Sequence, residues 1–162
     1  MIRLVLVRHA KSEWSVVRQA HRPPVPDHDR PLDDRGLRDA PRMARALAET
    51  GFRPEVIRSS TALRARTTAE AFGAEFDVAV DLDPELYGAP GRTLLAKAAA
   101  SAARSVIVVA HDPGMSALAE RLTEGEIAHM PTCAVARFTW DEDDWDVVGS
   151  VAPVDWSFDS PR

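Results

Sequence analysis

Two apolar runs set the limits on what this chain can fold into. Ile2-Arg3-Leu4-Val5-Leu6-Val7 and Ser105-Val106-Ile107-Val108-Val109-Ala110 are nearly continuous rather than alternating in polarity. That pattern belongs to strands covered on both faces, because a strand with one wet face alternates with period two. A sheet buried on both sides needs a layer of helices on each side. Each run also leads into a histidine: Arg8-His9 follows the first, and His111-Asp112-Pro113-Gly114 follows the second.

The segments between the runs supply those helices. Residues 8–30 hold Pro23, Pro24 and Pro26, a density that favours irregular loop, with a helical turn or two expected around Ser12 to Ala20. From Asp33 onward, Leu37, Ala40, Met43, Ala44 and Leu47 recur at three-and-four spacing and so share a helix face. Asp33 or Asp34 is the expected N-cap and Gly51 the exit. Pro41 should kink this helix or restrict its first turns. A second strand is read at Glu55 to Ser59, a helix at Ala62 to Phe72, a short strand at Val78 to Val80, and an alanine-rich helix at Thr93 to Ala103. Gly114 to Leu122 reads as helix. Ala134 to Trp140 and Trp145 to Val151 read as a closing hairpin around Asp141-Glu142-Asp143-Asp144, with an irregular tail after Pro153. The expectation is one α/β domain over residues 1–162. Its three layers, α/β/α, enclose a mainly parallel central sheet with an antiparallel C-terminal strand or hairpin.

Composition narrows function mostly by exclusion. Against 20 Lys and Arg stand 25 Asp and Glu, a net charge of −5. A nucleic-acid binder normally shows a basic face, although a local basic pocket is compatible with this balance. No apolar stretch approaches the roughly 20 residues of a membrane span, and the first strand lacks the layout of a secretory signal. A single cysteine, Cys133, allows no internal disulfide. It reads as a small core residue and fits a reducing compartment. The expected protein is cytoplasmic, with no nucleic-acid or membrane partner.

In open α/β sheets, ligands bind beyond the carboxyl ends of the strands. If the two apolar strands are neighbours, His9 and His111 converge there. Arg8 and Arg64, the latter one turn into the helix after the second strand, join them. Guanidinium forks bind phosphate bidentately. A neutral histidine nitrogen can attack phosphorus and carry it covalently. A second histidine, if protonated, adds a donor for the equatorial oxygens, where charge concentrates in phosphoryl transfer. A helix starting near Gly114 adds backbone N–H groups. Singly, each residue has an ordinary explanation: a core or surface histidine, a solvated face of Arg64 and Arg66, or an Arg8 paired with an acid. Their joint placement at the ends of the two most apolar strands points to phosphoryl chemistry.

Around these residues the sequence resembles the histidine phosphatase superfamily, and within it the short SixA-type phosphohistidine phosphatases. The resemblance is carried by Leu4-Val5-Leu6-Val7-Arg8-His9-Ala10-Lys11-Ser12 and by Asp27-His28-Asp29-Arg30-Pro31-Leu32 with Arg35-Gly36. It continues in Ser59-Ser60-Thr61-Ala62-Leu63-Arg64-Ala65 with Thr67-Thr68-Ala69-Glu70, and in Val108-Val109-Ala110-His111-Asp112-Pro113-Gly114. It implies a phosphoglycerate mutase-like fold, His9 as nucleophile, and a phosphate pocket of Arg8, Arg64 and His111. It also implies no metal or other cofactor. The implied substrate is phosphohistidine in a protein. The alternative is a small phosphorylated metabolite such as a sugar phosphate or phosphoglycerate, and a reading of another class is a non-catalytic phosphate-sensing module.

Two departures carry expectations. Ala10 stands where the superfamily usually has Gly, as in its short members. Asp112 stands where Asn is usual, and a carboxylate there is expected to raise the pKa of His111. Larger relatives place a glutamate general acid in an inserted segment for which this chain is too short. Asp27 is the first candidate for that role, with Asp29 and Glu85 next. His21, His28 and His129 read as loop residues, and the four tryptophans as packing.

Overall fold

The computed structural model describes residues 1–14 and 25–161. In chain order the elements are β1 (Ile2–Arg8), α1 (Asp34–Glu49), β2 (Val56–Ser59), α2 (Leu63–Phe76), β3 (Val80–Leu82), α3 (Gly91–Ala100), β4 (Ser105–Ala110), α4 (Gly114–Leu122), β5 (Val135–Trp140), α5 (Trp145–Val148) and β6 (Asp155–Asp159). The strands form one six-stranded sheet in the order β3-β2-β4-β1-β5-β6. The first four in that order are parallel. β5 is antiparallel to β1, and β6 to β5.

The two apolar runs are adjacent at the centre, with Val5 opposite Ile107 and Arg8 opposite Ala110. The pleat sorts their side chains between two cores. Ile2, Leu4, Leu6, Val106 and Val108 pack with Leu94, Leu118 and Trp140 on the α3 and α4 side. Val5, Val7, Ile107 and Val109 pack with Met43, Leu47 and Phe72 of α1 and α2 on the other. Each fully buried aliphatic side chain contributes roughly 2 kcal/mol, so the central strands are the most firmly held part of the sheet. Both end at the same edge, which places His9 beside His111.

Asp33 caps α1 as expected, its Oδ1 accepting from the Gly36 N–H at 2.8 Å. Ala40, Met43, Ala44 and Leu47 face the core, but Leu37 is exposed. In that first turn the position against the neighbouring chain belongs to Gly36, where a Cβ would lie 2.1 Å from the Lys11 carbonyl oxygen. Pro41 sits on an exposed position and the helix runs through it to Glu49.

The C-terminal region corrects the sequence reading. Trp145–Val148 is a short helix, not a strand. The Asp144 side chain accepts from the Asp146 N–H at 2.9 Å, so the last residue of the acidic run caps a helix that buries Val148. The strand that pairs with β5 lies at Asp155–Asp159, inside the tail expected to be irregular. It is an edge strand, mostly exposed, so it carries no buried run to announce it. Elsewhere β3 begins at Val80, α2 continues past Phe72 to Phe76, and α3 closes at Ala100. Ser12 bridges Leu32 and neither Glu13 nor Trp14 is helical, and the remainder of the helical turn expected up to Ala20 falls on residues outside those described. No helix among the described residues is long and apolar enough to cross a membrane.

Candidate active site

The carboxyl ends of β1 and β4 present the two histidines to one pocket. His9 continues the central ladder, its backbone N–H donating to Ala110 O at 3.1 Å and its carbonyl accepting from the Cys133 N–H at 3.0 Å. The His9 and His111 ring centroids are 5.2 Å apart. Arg8, His9, Asp27, Arg30, Arg64 and His111 line a pocket of about 460 Å³.

The tautomer of His9 follows from its partner. Its Nδ1 lies 2.8 Å from the Ala10 carbonyl oxygen. A carbonyl only accepts, so Nδ1 carries the proton and Nε2 keeps the lone pair. Burial pushes the His9 pKa down to about 3, which leaves the ring neutral at physiological pH. The loop is pinned by Thr68, whose Oγ1 accepts from the Ala10 N–H at 3.0 Å and donates to the Arg64 carbonyl at 2.8 Å.

His111 is likewise neutral, its pKa pushed down to about 4 by burial first and by the charge of Arg64 second. Its Nε2 is 2.8 Å from Ser60 Oγ, and its buried Nδ1 has no protein partner. The expectation that Asp112 would favour the cationic ring is not met. The Asp112 carboxylate accepts from the Ser116 N–H at 2.9 Å and Ser116 Oγ at 2.7 Å, and lies 3.5 Å from Arg8 Nη1. Its hydrogen bonds go to Ser116 in the first turn of α4 and its charge offsets Arg8.

Asp27 is the hub of the opposite wall. Arg64 donates through Nη1 to its carbonyl at 2.7 Å and through Nη2 to Oδ2 at 2.9 Å. The Tyr87 hydroxyl donates to the same Oδ2 at 2.5 Å, and Arg30 Nη2 to Oδ1 at 3.3 Å. Partial burial works to raise the Asp27 pKa, but these hydrogen bonds outweigh it and hold the carboxyl at about 2. Arg30 also donates to Ser12 Oγ and stacks 3.7 Å over the Trp14 ring. Arg8 Nη1 is anchored on Met130 O at 2.8 Å. The guanidiniums are thus oriented before any ligand arrives, which lowers the reorganisation needed to hold a phosphoryl group.

Of the three acid candidates, only Asp27 lines the pocket. Asp29 is exposed beside His28 at 3.4 Å, and Glu85 pairs with Lys97 at 2.7 Å. His28, read as a loop residue, donates to or accepts from Thr61 Oγ1 at 2.8 Å and packs edge-on against Tyr87. Arg30, Ser60 and Thr68 stand within the motifs that carry the family resemblance but have no role assigned there, and Tyr87 lies outside those motifs. Among the described residues, no three His, Cys, Asp or Glu side chains are grouped to hold a metal ion.

The sequence model of the histidine phosphatase superfamily (branch 1) matches residues 4–88. The chain belongs to that superfamily. Among its members of known structure, SixA of Agrobacterium tumefaciens is 30% identical, covers 99% of both chains and superposes with a TM-score of 0.78. SixA of Nakamurella multipartitia is 28% identical over 99% of this chain and 96% of its own, with a TM-score of 0.80. An uncharacterized protein of Mycobacterium leprae is 34% identical over 72% of this chain and 71% of its own length. The fold is therefore the phosphoglycerate mutase-like α/β sandwich of this superfamily, and the whole-length structural likeness extends from SixA proteins to a mycobacterial glucosyl-3-phosphoglycerate phosphatase, 21% identical over 98% of this chain and 97% of its own with a TM-score of 0.62. Superfamily and neighbours alike indicate a phosphatase acting on phosphorylated substrates.

Proposed function

We propose that this chain removes the phosphoryl group from phosphohistidine in a protein, through a covalent intermediate on His9 and without metal or other cofactor. The observation that carries the reading is the state of Asp27. It lines the pocket beside His9 but is an ionised carboxylate, held at about 2 by Tyr87, Arg64 and Arg30. The one other carboxylate in the lining, Asp112, faces Arg8 and α4, and residues 15–24 contain no Asp or Glu. An alkyl phosphate releases an alkoxide that needs a proton, a service worth about 10²–10⁴ in rate. A phosphohistidine leaves as an imidazole that brings its own proton and needs no such donor.

The proposed steps are these. His9 Nε2 attacks phosphorus, the new N–P bond forms, and the N–P bond to the substrate imidazole breaks. Arg8, Arg64, Arg30 and a ring N–H of His111 hold the oxygens as charge gathers on them. Water then attacks the phosphoryl group on His9. The Nε2–P bond breaks, and the proton from water leaves with inorganic phosphate or through Asp27. Neutral His9 is restored, its Nδ1–H still on the Ala10 carbonyl. The buried lone Cys133 supports a reducing, cytoplasmic setting.

The test is hydrolysis, in EDTA, of a phosphohistidine peptide alongside sugar phosphates and phosphoglycerate, with His9→Ala as control. The peptide should be preferred by at least about 100-fold in kcat/KM, with all activity lost in His9→Ala. Preference for a small phosphate ester would move the substrate to a metabolite. Phosphate binding without turnover of anything would leave a sensing module.

A further inference from the structure

A second cavity, of about 430 Å³, lies at the other end of the sheet and is lined by Arg3, Arg53, Arg137, Thr50, Thr139 and Asp155, among others. Arg3 stands near the start of β1 and His9 just past its end, roughly 20 Å away at about 3.3 Å per residue. The two pockets share no residue.

Strand register explains why charge collects there. Arg3 pairs with Thr139, Val5 with Arg137, and Thr139 with Asp155. Residues paired across strands project from the same face, and Val5 belongs to the core beneath α1 and α2. Arg3, Arg137, Thr139 and Asp155 therefore occupy that face where α1 has ended, and Arg53 enters from the segment after it. These are positions that a covered sheet would fill with apolar residues.

The three guanidiniums are positioned but not neutralised. Arg53 Nη1 donates to Ala48 O at 3.0 Å and Phe52 O at 2.7 Å. Arg137 Nη1 donates to Thr50 Oγ1 at 2.9 Å, and Arg3 Nη2 to Met1 Sδ at 3.4 Å. Every one of these acceptors is uncharged. Among the described residues none of the three has a carboxylate oxygen within 4.0 Å, whereas Arg58, Arg66 and Arg104 each find one. Three cations and one lining carboxylate, Asp155, leave the cavity with a surplus of two positive charges in a chain whose net charge is −5.

We propose that this cavity is a second ligand site, for a diphosphate group, separate from the active site. Guanidinium forks match phosphate oxygens bidentately. The cations approach from β1, β5 and the α1–β2 connection, which suits an extended anion better than a single phosphate. The volume falls in the range of small-molecule sites. Inorganic pyrophosphate and a nucleoside diphosphate share this chemistry.

Amide NMR resolves the two sites in one experiment. Full-length protein is titrated with pyrophosphate and, separately, with ADP, against potassium chloride at matched ionic strength. Saturable shifts are expected at Thr50, Gly51, Arg53, Arg137 and Thr139, with a midpoint below about 1 mM. In Arg3→Gln/Arg137→Gln these shifts should need at least about tenfold more ligand, while shifts near His9 and His111 and the hydrolytic rate stay as in wild type. Arg3→Glu alone serves if the double variant does not fold. Equal midpoints for the two ligands would assign inorganic diphosphate, and a tenfold tighter ADP a nucleotide. Shifts that stay linear to about 10 mM, that chloride reproduces, or that survive both variants would overturn the proposal.

Discussion

Acid should weaken this fold through its two site histidines, by an amount the structure sets. His9 and His111 are buried, 7% and 5% exposed, and their pKa values are pushed from 6.5 to about 3 and about 4. Unfolding releases both to the ordinary imidazole value. Between pH 6.5 and the native values, the unfolded chain therefore binds more protons than the native one, so stability falls as pH drops through that window. At pH 5 each histidine costs about 2 kcal/mol relative to pH 8, about 4 kcal/mol together. The size is set by the distance from 6.5 to 5 and is the same for any native value well below 5. Asp27 acts in the same direction but only below its ordinary value of 3.8, so it does not contaminate this range. The assay is urea unfolding at pH 8 and pH 5 in a phosphate-free buffer, on wild type and His9→Gln. Wild type should lose about 4 kcal/mol and His9→Gln about half of that. A loss under about 1 kcal/mol in wild type, or an equal loss in His9→Gln, would refute the claim that His9 is held neutral by burial.

Four further outcomes follow. Asp27→Asn should slow phosphohistidine hydrolysis by no more than about tenfold, since it loosens Arg64 and Arg30 without removing a needed proton. The pKa of Tyr87, raised mainly by its hydrogen bond to Asp27, should fall in the same variant. A near-UV titration reads it directly because the chain has a single tyrosine. Asp112→Asn should leave the pH–rate profile where it is, because that carboxylate serves Arg8 and Ser116; a displaced acid limb would show that it acts on His111 after all. Gly114→Ala should lose about 3 kcal/mol in urea unfolding, because the new Cβ would lie 2.0 Å from the Ala89 carbonyl oxygen; wild-type stability would mean the backbone yields there.

The parts of this protein that could be read from sequence are those that local chemistry determines. The β1 and β4 runs are apolar because both faces are covered, and a strand that leads into histidine at the ligand-binding edge of a sheet is a local statement. Arg64 was legible for the same reason, as the second residue of α2. Arg30 and Tyr87 were not, because their partnership with Asp27 is made by chain crossings. The rule that ligands gather beyond strand ends, applied to β3 as well as to β1 and β4, would have drawn Tyr87 in. Thr68, four residues after Arg64, was visible as a helix neighbour but gave no hint of its bond to Ala10. At the C-terminus, Trp145 and Val147-Val148 suggested a strand, while the decisive signal was Asp144 as a cap. The β6 edge strand was hidden by its own exposure, since solvent does not enforce a pattern.

The central claim is that His9 itself carries the phosphoryl group. Its most direct test is rapid quench of the enzyme with a radiolabelled phosphohistidine peptide, followed by mass spectrometry of the peptide spanning Leu6 to Lys11. The account predicts label on His9, stable in base and lost in acid, forming before phosphate is released and absent in His9→Ala. Turnover that proceeds at full rate with no label on His9, or that survives His9→Ala, would contradict it.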